Sequence, residues 1–296
     1  MNNSLLIVVT ALLLASACSN DSNGDSDGGL DAATDTDSDS DGDTDSDTDS
    51  DTDSDTDSDT DTDGDGGPDG GDASTRVLFI GNSYTAANSL HTLFKDIADS
   101  AGYSPQVEVQ EITGGGLWLQ HHLNTASTMD TIANGDWDYV VLQEQSYLAL
   151  VDYTTFYNAA VALGAAATTA GAEPVFFETW AREAGNTLYS TDLAGYDPTS
   201  MQAGLRTAYT NAANDTGGIF APVGDAWEAT IAAYSAIDLH DSDGSHPSIY
   251  GSYLAACVFF TLITGEDFTA VTYWPASISS IDAQTLMDMA DQTVNF

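Results

Sequence analysis

The sequence predicts a three-layer α/β/α fold in which a mostly parallel, five-stranded sheet lies between two layers of helices. Two observations lead to this prediction. Short apolar runs alternate along the chain with longer amphipathic stretches, and each run is continuous, as expected for strands buried on both faces. Alternation of strand and helix is typical of parallel sheets, whose active sites lie at the carboxyl ends of the strands.

The individual elements follow from these runs. The predicted strands cover residues 76–80, 107–112, 138–142, 174–177 and 219–223, and the clearest helices cover 89–101, 154–170, 200–213 and 248–264. Ser200 and Ser248 are the predicted N-caps, because a serine hydroxyl can accept a hydrogen bond from an unpaired N–H of the first turn. Together the elements predict one domain over residues 75–296, which is long enough to bury a sizeable core.

Charge divides the chain into two parts. The 296 residues include 47 acidic and 4 basic side chains, for a formal net charge of −43. Residues 21–74 hold 22 aspartates and no Lys or Arg, whereas the remainder carries 25 acidic side chains against all four basic ones. Because both parts are strongly negative, charge-driven binding to nucleic acid or to an anionic membrane surface is disfavoured.

The N-terminus predicts export. Residues 5–17 form a thirteen-residue apolar run, which is too short to span a bilayer and has the length of a signal-peptide core. Residues 15–18 resemble the lipobox of bacterial lipoproteins, in which the cysteine is lipidated. The resemblance implies a signal peptide over 1–17, lipid on Cys18 and a location at the outer membrane or cell surface, with membrane contact only through that lipid. A plainly cleaved signal, with Cys18 as a bystander, is the alternative.

The Asp-rich segment predicts a disordered linker over residues 18–74. Between residues 35 and 65 Asp alternates with Ser, Thr or Gly, and this composition cannot form a core. Asp37, Asp39 and Asp41 begin like a calcium loop, but Thr48 stands where the bidentate glutamate is needed, so loose association with cations is favoured over a specific site. Cys257, the second of two cysteines, lies in an apolar stretch and predicts a buried, inert thiol.

Three residues predict nucleophilic catalysis. Ser83 follows the first strand directly, on a turn that exposes its hydroxyl. Asp243 and His246 lie in a polar loop before a helix, three residues apart, so that the carboxylate can orient the imidazole while its other nitrogen faces Ser83. His240 and Asp241 are the competing pair, but adjacent side chains point apart.

Two more strand ends offer donors for an oxyanion. Glycines at 114–116 follow the second strand and allow a backbone N–H to approach closely. Gln145 or Gln143, after the third strand, supplies a side-chain amide.

These blocks resemble the SGNH, or GDSL-type, serine hydrolases over residues 75 to about 267. The resemblance implies that Ser83 is the nucleophile, with Asn82 where the family usually has Asp. It implies Gly115 as the oxyanion glycine, and it makes Gln145 the best match, with Gln143 second, at a position that usually holds Asn. The segment 178–182 is similar to an element of one SGNH branch in which Trp180 and Arg182 would border the substrate pocket.

The resulting prediction is a surface-anchored esterase that acts on an acylated small molecule or polysaccharide, most plausibly an acetylated carbohydrate. Four aromatic residues near the site are candidates to stack on sugar: Tyr84, Trp118, Tyr147 and Trp180. No cofactor and no metal are expected, because the adjacent His121 and His122 point apart on a helix. A lipid or short-chain carboxylesterase is one alternative. A non-catalytic surface module with a calcium-interacting stalk is the other.

Overall fold

The computed structural model describes residues 74–295. Five parallel strands form one sheet in the order β2-β1-β3-β4-β5, which confirms the predicted fold class. They are β1 (Thr75–Gly81), β2 (Val107–Thr113), β3 (Tyr139–Leu142), β4 (Glu173–Phe177) and β5 (Ile219–Ala221). The predicted signal peptide, Cys18 and Asp-rich linker lie outside the described residues. These interpretations and the domain boundaries therefore stay predictions.

Helices cover both faces of the sheet, as predicted. Within the described residues they are α1 (Ser83–Ala86), α2 (Leu90–Ala101), α3 (Leu119–Leu123), α4 (Ala126–Asn134), α5 (Leu148–Val151), α6 (Tyr153–Thr169), α7 (Pro198–Thr216), α8 (Val223–Ala233), α9 (Ile249–Thr264) and α10 (Ser280–Val294). Val77 and Phe79 of β1 belong to a core shared with α2, α8, α9 and α10. Leu78 and Ile80 point the other way, into a core shared with α4, α6 and α7. Alternate side chains of one strand thus fill the two interlayer cores.

Two details of the strand prediction are wrong. Strand β2 is not buried on both faces, since Val107 is buried and Glu108 is exposed. It lies at the edge of the sheet, and its alternating apolar and polar residues suit that position. Val223 is not in a strand but begins α8, because β5 ends at Ala221 and the following Pro222 has no N–H for a ladder.

One of the two predicted N-caps is confirmed. The Ser248 hydroxyl accepts hydrogen bonds from the N–H groups of Tyr250 and Gly251 at the start of α9. Ser200 is instead the third residue of α7, which begins after Asp197. The Asp197 side chain accepts from the Ser200 N–H at 2.8 Å, while the Ser200 hydroxyl accepts from the Asp197 N–H. Because this reciprocal pair stabilises the first turn, α7 begins before the predicted start.

Strand register brings several loops to one edge of the sheet. Gly81 pairs with Thr113, and Ile80 pairs with Leu142, so β1, β2 and β3 end almost level. Helix α9 packs against one face of the sheet, with Phe259 edge-on to Phe79 and Phe177, and is buried along most of its length. Its Cys257 is buried as predicted, and burial raises the pKa of the thiol. Among residues 74–295, no helix combines the length and the hydropathy needed to cross a membrane.

Candidate active site

The turn after β1 is built around two buried amide side chains, those of Asn82 and Gln143. The Asn82 N–H donates to Gln143 Oε1 at 2.9 Å, and Asn82 Oδ1 accepts from the Tyr84 N–H at 3.0 Å. Asn82 Nδ2 donates to the Leu117 carbonyl at 3.0 Å. Gly81 has no room for a side chain, because a Cβ there would lie 2.4 Å from Gln143 Oε1. The turn therefore presents Ser83 as the first residue of α1, next to the loops that follow β2 and β3.

Ser83, His246 and Asp243 form one chain of hydrogen bonds. Ser83 Oγ lies 2.8 Å from His246 Nε2, and His246 Nδ1 lies 2.5 Å from Asp243 Oδ2. The other carboxylate oxygen of Asp243 accepts from the N–H groups of Ser245 and His246, at 2.9 Å each. Slight burial acts to raise the pKa of Asp243, but these hydrogen bonds hold it below its ordinary value. A proton on Nδ1, held by Asp243, leaves Nε2 able to accept from the Ser83 hydroxyl.

A stack of three aromatic rings lies beneath the loop that carries Asp243 and His246. Tyr84 and Trp180 stack with ring centroids 4.6 Å apart, and Trp180 and Trp227 stack at 3.9 Å. The Trp180 indole N–H donates to the Ser245 carbonyl at 3.0 Å, and the Tyr84 hydroxyl lies 2.7 Å from Ser245 Oγ. The stack therefore fixes the loop at the residue that precedes His246.

This arrangement changes the predicted substrate pocket. Trp180 is only 1% exposed and Tyr84 4%, so the expectation that their faces stack on sugar is wrong. Trp180 and Arg182 do line a cavity of about 560 Å³, together with Trp227, Ile231 and His240. However, none of the three hydrogen-bonded residues Ser83, His246 and Asp243 lines this cavity. Arg182 is instead held beside the turn that follows β3, where its guanidinium donates to Ser146 Oγ at 2.6 Å.

The two glutamine candidates have different environments. Gln143 is fully buried, and its side chain is occupied by Asn82, by the Thr85 hydroxyl and by the Glu144 carbonyl, so it has no donor for a ligand. Gln145 Oε1 accepts from the N–H groups of Tyr147 and Leu148, at 3.0 and 3.1 Å. Its amide Nε2 makes no hydrogen bond with any residue in the range 74–295. Of the two, Gln145 is the one with a donor to offer.

A second cavity, of about 550 Å³, lies between the loops that follow β2 and β3. Gly116 and Trp118 line it from one loop, and Gln145 and Tyr147 line it from the other. Since β1 lies between β2 and β3 in the sheet, these loops flank the Ser83 turn on its two sides. Gly115 is exposed in the same loop, and nothing lies within 4 Å of the place where its Cβ would be. Of the predicted oxyanion residues, Gln145 lines this cavity, and Gly115 directly precedes its lining residue Gly116.

The remaining histidines are held by structural contacts. His91 pairs with Glu111 at 3.1 Å, and His121 Nδ1 accepts from the Trp118 N–H at 3.2 Å. His122 and His240 bond the carbonyls of Gly81 and Ala181 at 2.8 and 3.0 Å, and burial lowers the pKa of both rings. The competing pair His240 and Asp241 does not assemble. Nowhere in residues 74–295 do three or more His, Cys, Asp or Glu side chains gather closely enough to hold a metal ion.

One buried acidic side chain near these loops, that of Glu144, is not predicted from the sequence. Glu144 follows Gln143 at the end of β3, is fully buried, and accepts hydrogen bonds from the N–H groups of Leu119 and Gln145. Burial raises its pKa to about 7, against the opposing effect of those two N–H donors. Its signal in the sequence is the triplet Gln-Glu-Gln after an apolar strand, which was interpreted only for its amides.

Comparison with solved structures identifies the family. The chain aligns over 66% of its length with the whole of a protein described as "a putative SGNH hydrolase from Slackia heliotrinireducens", at 34% identity and a TM-score of 0.56. The chain belongs to the SGNH hydrolases. It is therefore an enzyme, as the sequence predicts.

Two further solved structures share the fold of this chain at lower identity. A DUF4886 family protein from Bacteroides uniformis matches at 21% identity and a TM-score of 0.61, with 76% of this chain and 96% of that chain covered. A "putative GDSL-like lipase" from Parabacteroides merdae matches at 18% identity and a TM-score of 0.51, with 66% and 97% covered. No protein-family model and no curated protein sequence matches the chain.

Replacing Asn82 by the Asp that is usual in the family tests whether this SGNH hydrolase depends on the amide. In Asn82→Asp, a buried carboxylate faces the Leu117 carbonyl and cannot donate to it when ionised. We expect the free energy of unfolding to fall by about 1–3 kcal/mol at pH 8, measured by urea denaturation. Because burial raises the pKa of a carboxyl, the loss should be smaller at pH 5.

The exposed Asn158 on α6 provides the matched control. Asn158→Asp makes the same chemical change without burying a charge and should leave stability within about 0.5 kcal/mol of wild type. Equal stability of Asn82→Asp and Asn158→Asp at pH 8 would contradict the role given to the Asn82 amide.

Proposed function

We propose that this SGNH hydrolase cleaves carboxylic esters through an acyl-enzyme formed on Ser83. The observation that carries the proposal is the continuous hydrogen-bond chain from Ser83 Oγ through His246 to Asp243, with distances of 2.8 and 2.5 Å. His246 accepts the serine proton as Ser83 attacks the ester carbonyl, and Asp243 holds the imidazole in the required orientation and stabilises the imidazolium. His246 then returns the proton to the leaving alcohol. Water, activated by the same histidine, releases the acid.

The negative charge that develops on the carbonyl oxygen needs preorganised donors. We assign this role to the backbone N–H groups of Ser83 and Gly115 and to the Gln145 amide. Gln145 suits the role because its Oε1 is fixed by the N–H groups of Tyr147 and Leu148, which orients Nε2 without using its hydrogens. Gln143 is excluded because its side chain is buried and occupied.

Substitution of Ser83 tests the chemistry. Ser83→Ala in the full-length chain should lower the hydrolysis of p-nitrophenyl acetate by at least about 10³-fold, because no other group can form the acyl-enzyme. The exposed Ser127 on α4 gives the matched control, and Ser127→Ala should retain the wild-type rate. Equal rates for Ser83→Ala and wild type would favour a non-catalytic binding module.

We assign the substrate to neutral acylated carbohydrate, with the sugar in the cavity between the loops that follow β2 and β3. Trp118 is 36% exposed and lines this cavity with Tyr147, whose hydroxyl donates to Asp192 at 3.1 Å. Aromatic faces cover the apolar side of a sugar ring, while carboxylate and amide groups bond its hydroxyls. Asp152 and Asp192 at the cavity, with no basic side chain among its lining residues, disfavour an anionic sugar.

Truncation of Trp118 tests the substrate class separately from the chemistry. Trp118→Ala should lower kcat/KM for an acetylated xylo-oligosaccharide by roughly three- to tenfold through a higher KM, since one stacked ring contributes about 0.5–1.5 kcal/mol. The rate on p-nitrophenyl acetate should change much less, because that ester has no sugar. Tyr234→Ala, which removes an exposed aromatic ring elsewhere, is the control. An equal loss on both esters would contradict a sugar in this cavity.

The cellular location rests on residues 1–18. We propose export, lipidation of Cys18, and a stalk formed by the Asp-rich segment that holds the enzyme away from an outer membrane or cell surface. In cells fed a labelled fatty acid, the wild-type chain should carry label in the membrane fraction. Cys18→Ser should carry none and should leave that fraction. A labelled Cys18→Ser chain would overturn the proposal.

A further inference from the structure

Glu144 joins the two loops that flank the Ser83 turn. Both of its carboxylate oxygens lie within hydrogen-bonding distance of the Leu119 N–H, at 3.2 and 3.3 Å. Oε1 also accepts from the Gln145 N–H at 2.6 Å. Leu119 directly follows the loop that carries Gly115 and Trp118, so one side chain connects that loop to the residue assigned as the third oxyanion donor.

Burial without a cationic partner makes ionisation of Glu144 unfavourable. The side chain is fully buried, and none of the ion pairs within residues 74–295 includes it. The ionisable group that faces it is Tyr209 of α7, whose hydroxyl accepts from the Glu144 N–H at 3.2 Å. Burial raises the pKa of Glu144. The Gln145 N–H, on the same turn, and the Leu119 N–H, from α3, act in the opposite direction and lower it. A buried carboxylate with hydrogen bonds but no cationic partner normally costs stability, and such groups are concentrated at functional sites.

The ionised and protonated forms of Glu144 hold the loops differently. A carboxylate only accepts hydrogen bonds, and charge-assisted bonds to N–H groups are shorter and stronger than neutral ones. Protonation of Oε2 leaves Oε1 to accept from both N–H groups but removes the charge that strengthens these bonds and the second acceptor for the Leu119 N–H. The connection between Leu119 and Gln145 is therefore stronger in the ionised form.

We propose that Glu144 is a positioning residue, whose ionised carboxylate sets the spacing between the Gly115 loop and Gln145 that the oxyanion requires. It acts through these two elements and does not itself touch the substrate. The inference rests on the proposed esterase function. Activity then requires an ionised Glu144 in addition to a His246 that can accept the serine proton.

Stability and activity should respond to pH in opposite directions at this residue. The pKa of Glu144 in the folded protein, about 7, is raised above the ordinary value by burial. Because the folded pKa is raised above the ordinary value of 4.5, the stability that goes with the neutral form is fully present below about 4.5 and is lost as pH rises from there to about 7. Positioning requires the ionised form, so activity should increase as pH rises through about 7. A purely structural role would not separate the two.

Glu144→Gln, which imitates the protonated acid, tests the proposal in the full-length enzyme. At pH 8 its kcat on p-nitrophenyl acetate should fall by roughly 10- to 100-fold with little change in KM, a loss comparable to removing part of an oxyanion hole. Its melting temperature at pH 8 should equal or exceed that of wild type. The exposed Glu266 provides the control, and Glu266→Gln should behave as wild type in both measurements.

The pH profile gives the decisive readout. Loss of one required ionisation near pH 7 should lower the slope of log kcat/KM on the acidic limb by about 1 in Glu144→Gln relative to wild type. Glu144→Asp keeps the charge but shortens its reach, so it should keep the steeper slope with a lower plateau.

Two results would overturn the positioning role alone. One is an unchanged kcat and slope in Glu144→Gln, and the other is a loss of activity together with a lower melting temperature at pH 8. If wild type and Glu266→Gln are both inactive on esters, the proposed function is wrong, and so is the positioning role.

Discussion

The hydrogen bond from the Asn82 backbone N–H to the buried side-chain amide of Gln143 is the interaction on which the site most depends. Through it the end of β1 is bonded to the residue that follows β3, and through Asn82 Nδ2 it is bonded to the loop after β2. Both amides are buried, so each unmade hydrogen bond would cost a desolvation penalty. The Ser83 turn therefore has a fixed position relative to both neighbouring loops before any ligand arrives.

A second set of contacts positions the loop that carries Asp243 and His246. The loop with Asp243 and His246 comes from far along the chain, and it is fixed to the sheet through contacts with its Ser245. Trp180 and Tyr84 make those contacts, and Trp180 is held in turn by the face of Trp227. The same packing buries Trp180, so an aromatic residue at a strand end serves here to place the loop that carries Asp243 and His246.

The sequence predicts the fold more accurately than it predicts the lining of the pocket. Strand runs and the Ser248 cap depend on neighbouring residues, and these predictions agree with the structure apart from the edge character of β2 and the end of β5. The pocket depends on which side chains pack against each other across long separations. Burial of Trp180 by partners more than forty residues away, such as Trp227, could not be inferred from its position after β4. Nor could the burial of Glu144, because its contacts to Leu119 and Tyr209 lie on other elements.

A covalent acyl-enzyme on Ser83 can be detected by mass spectrometry of the intact protein. Wild type mixed with p-nitrophenyl acetate and quenched in acid within milliseconds should gain one acetyl group, located by peptide mapping on Ser83. Ser83→Ala should gain none under the same conditions. If wild type that turns over carries the acetyl group on another residue, or carries none at any quench time, Ser83 is not the nucleophile.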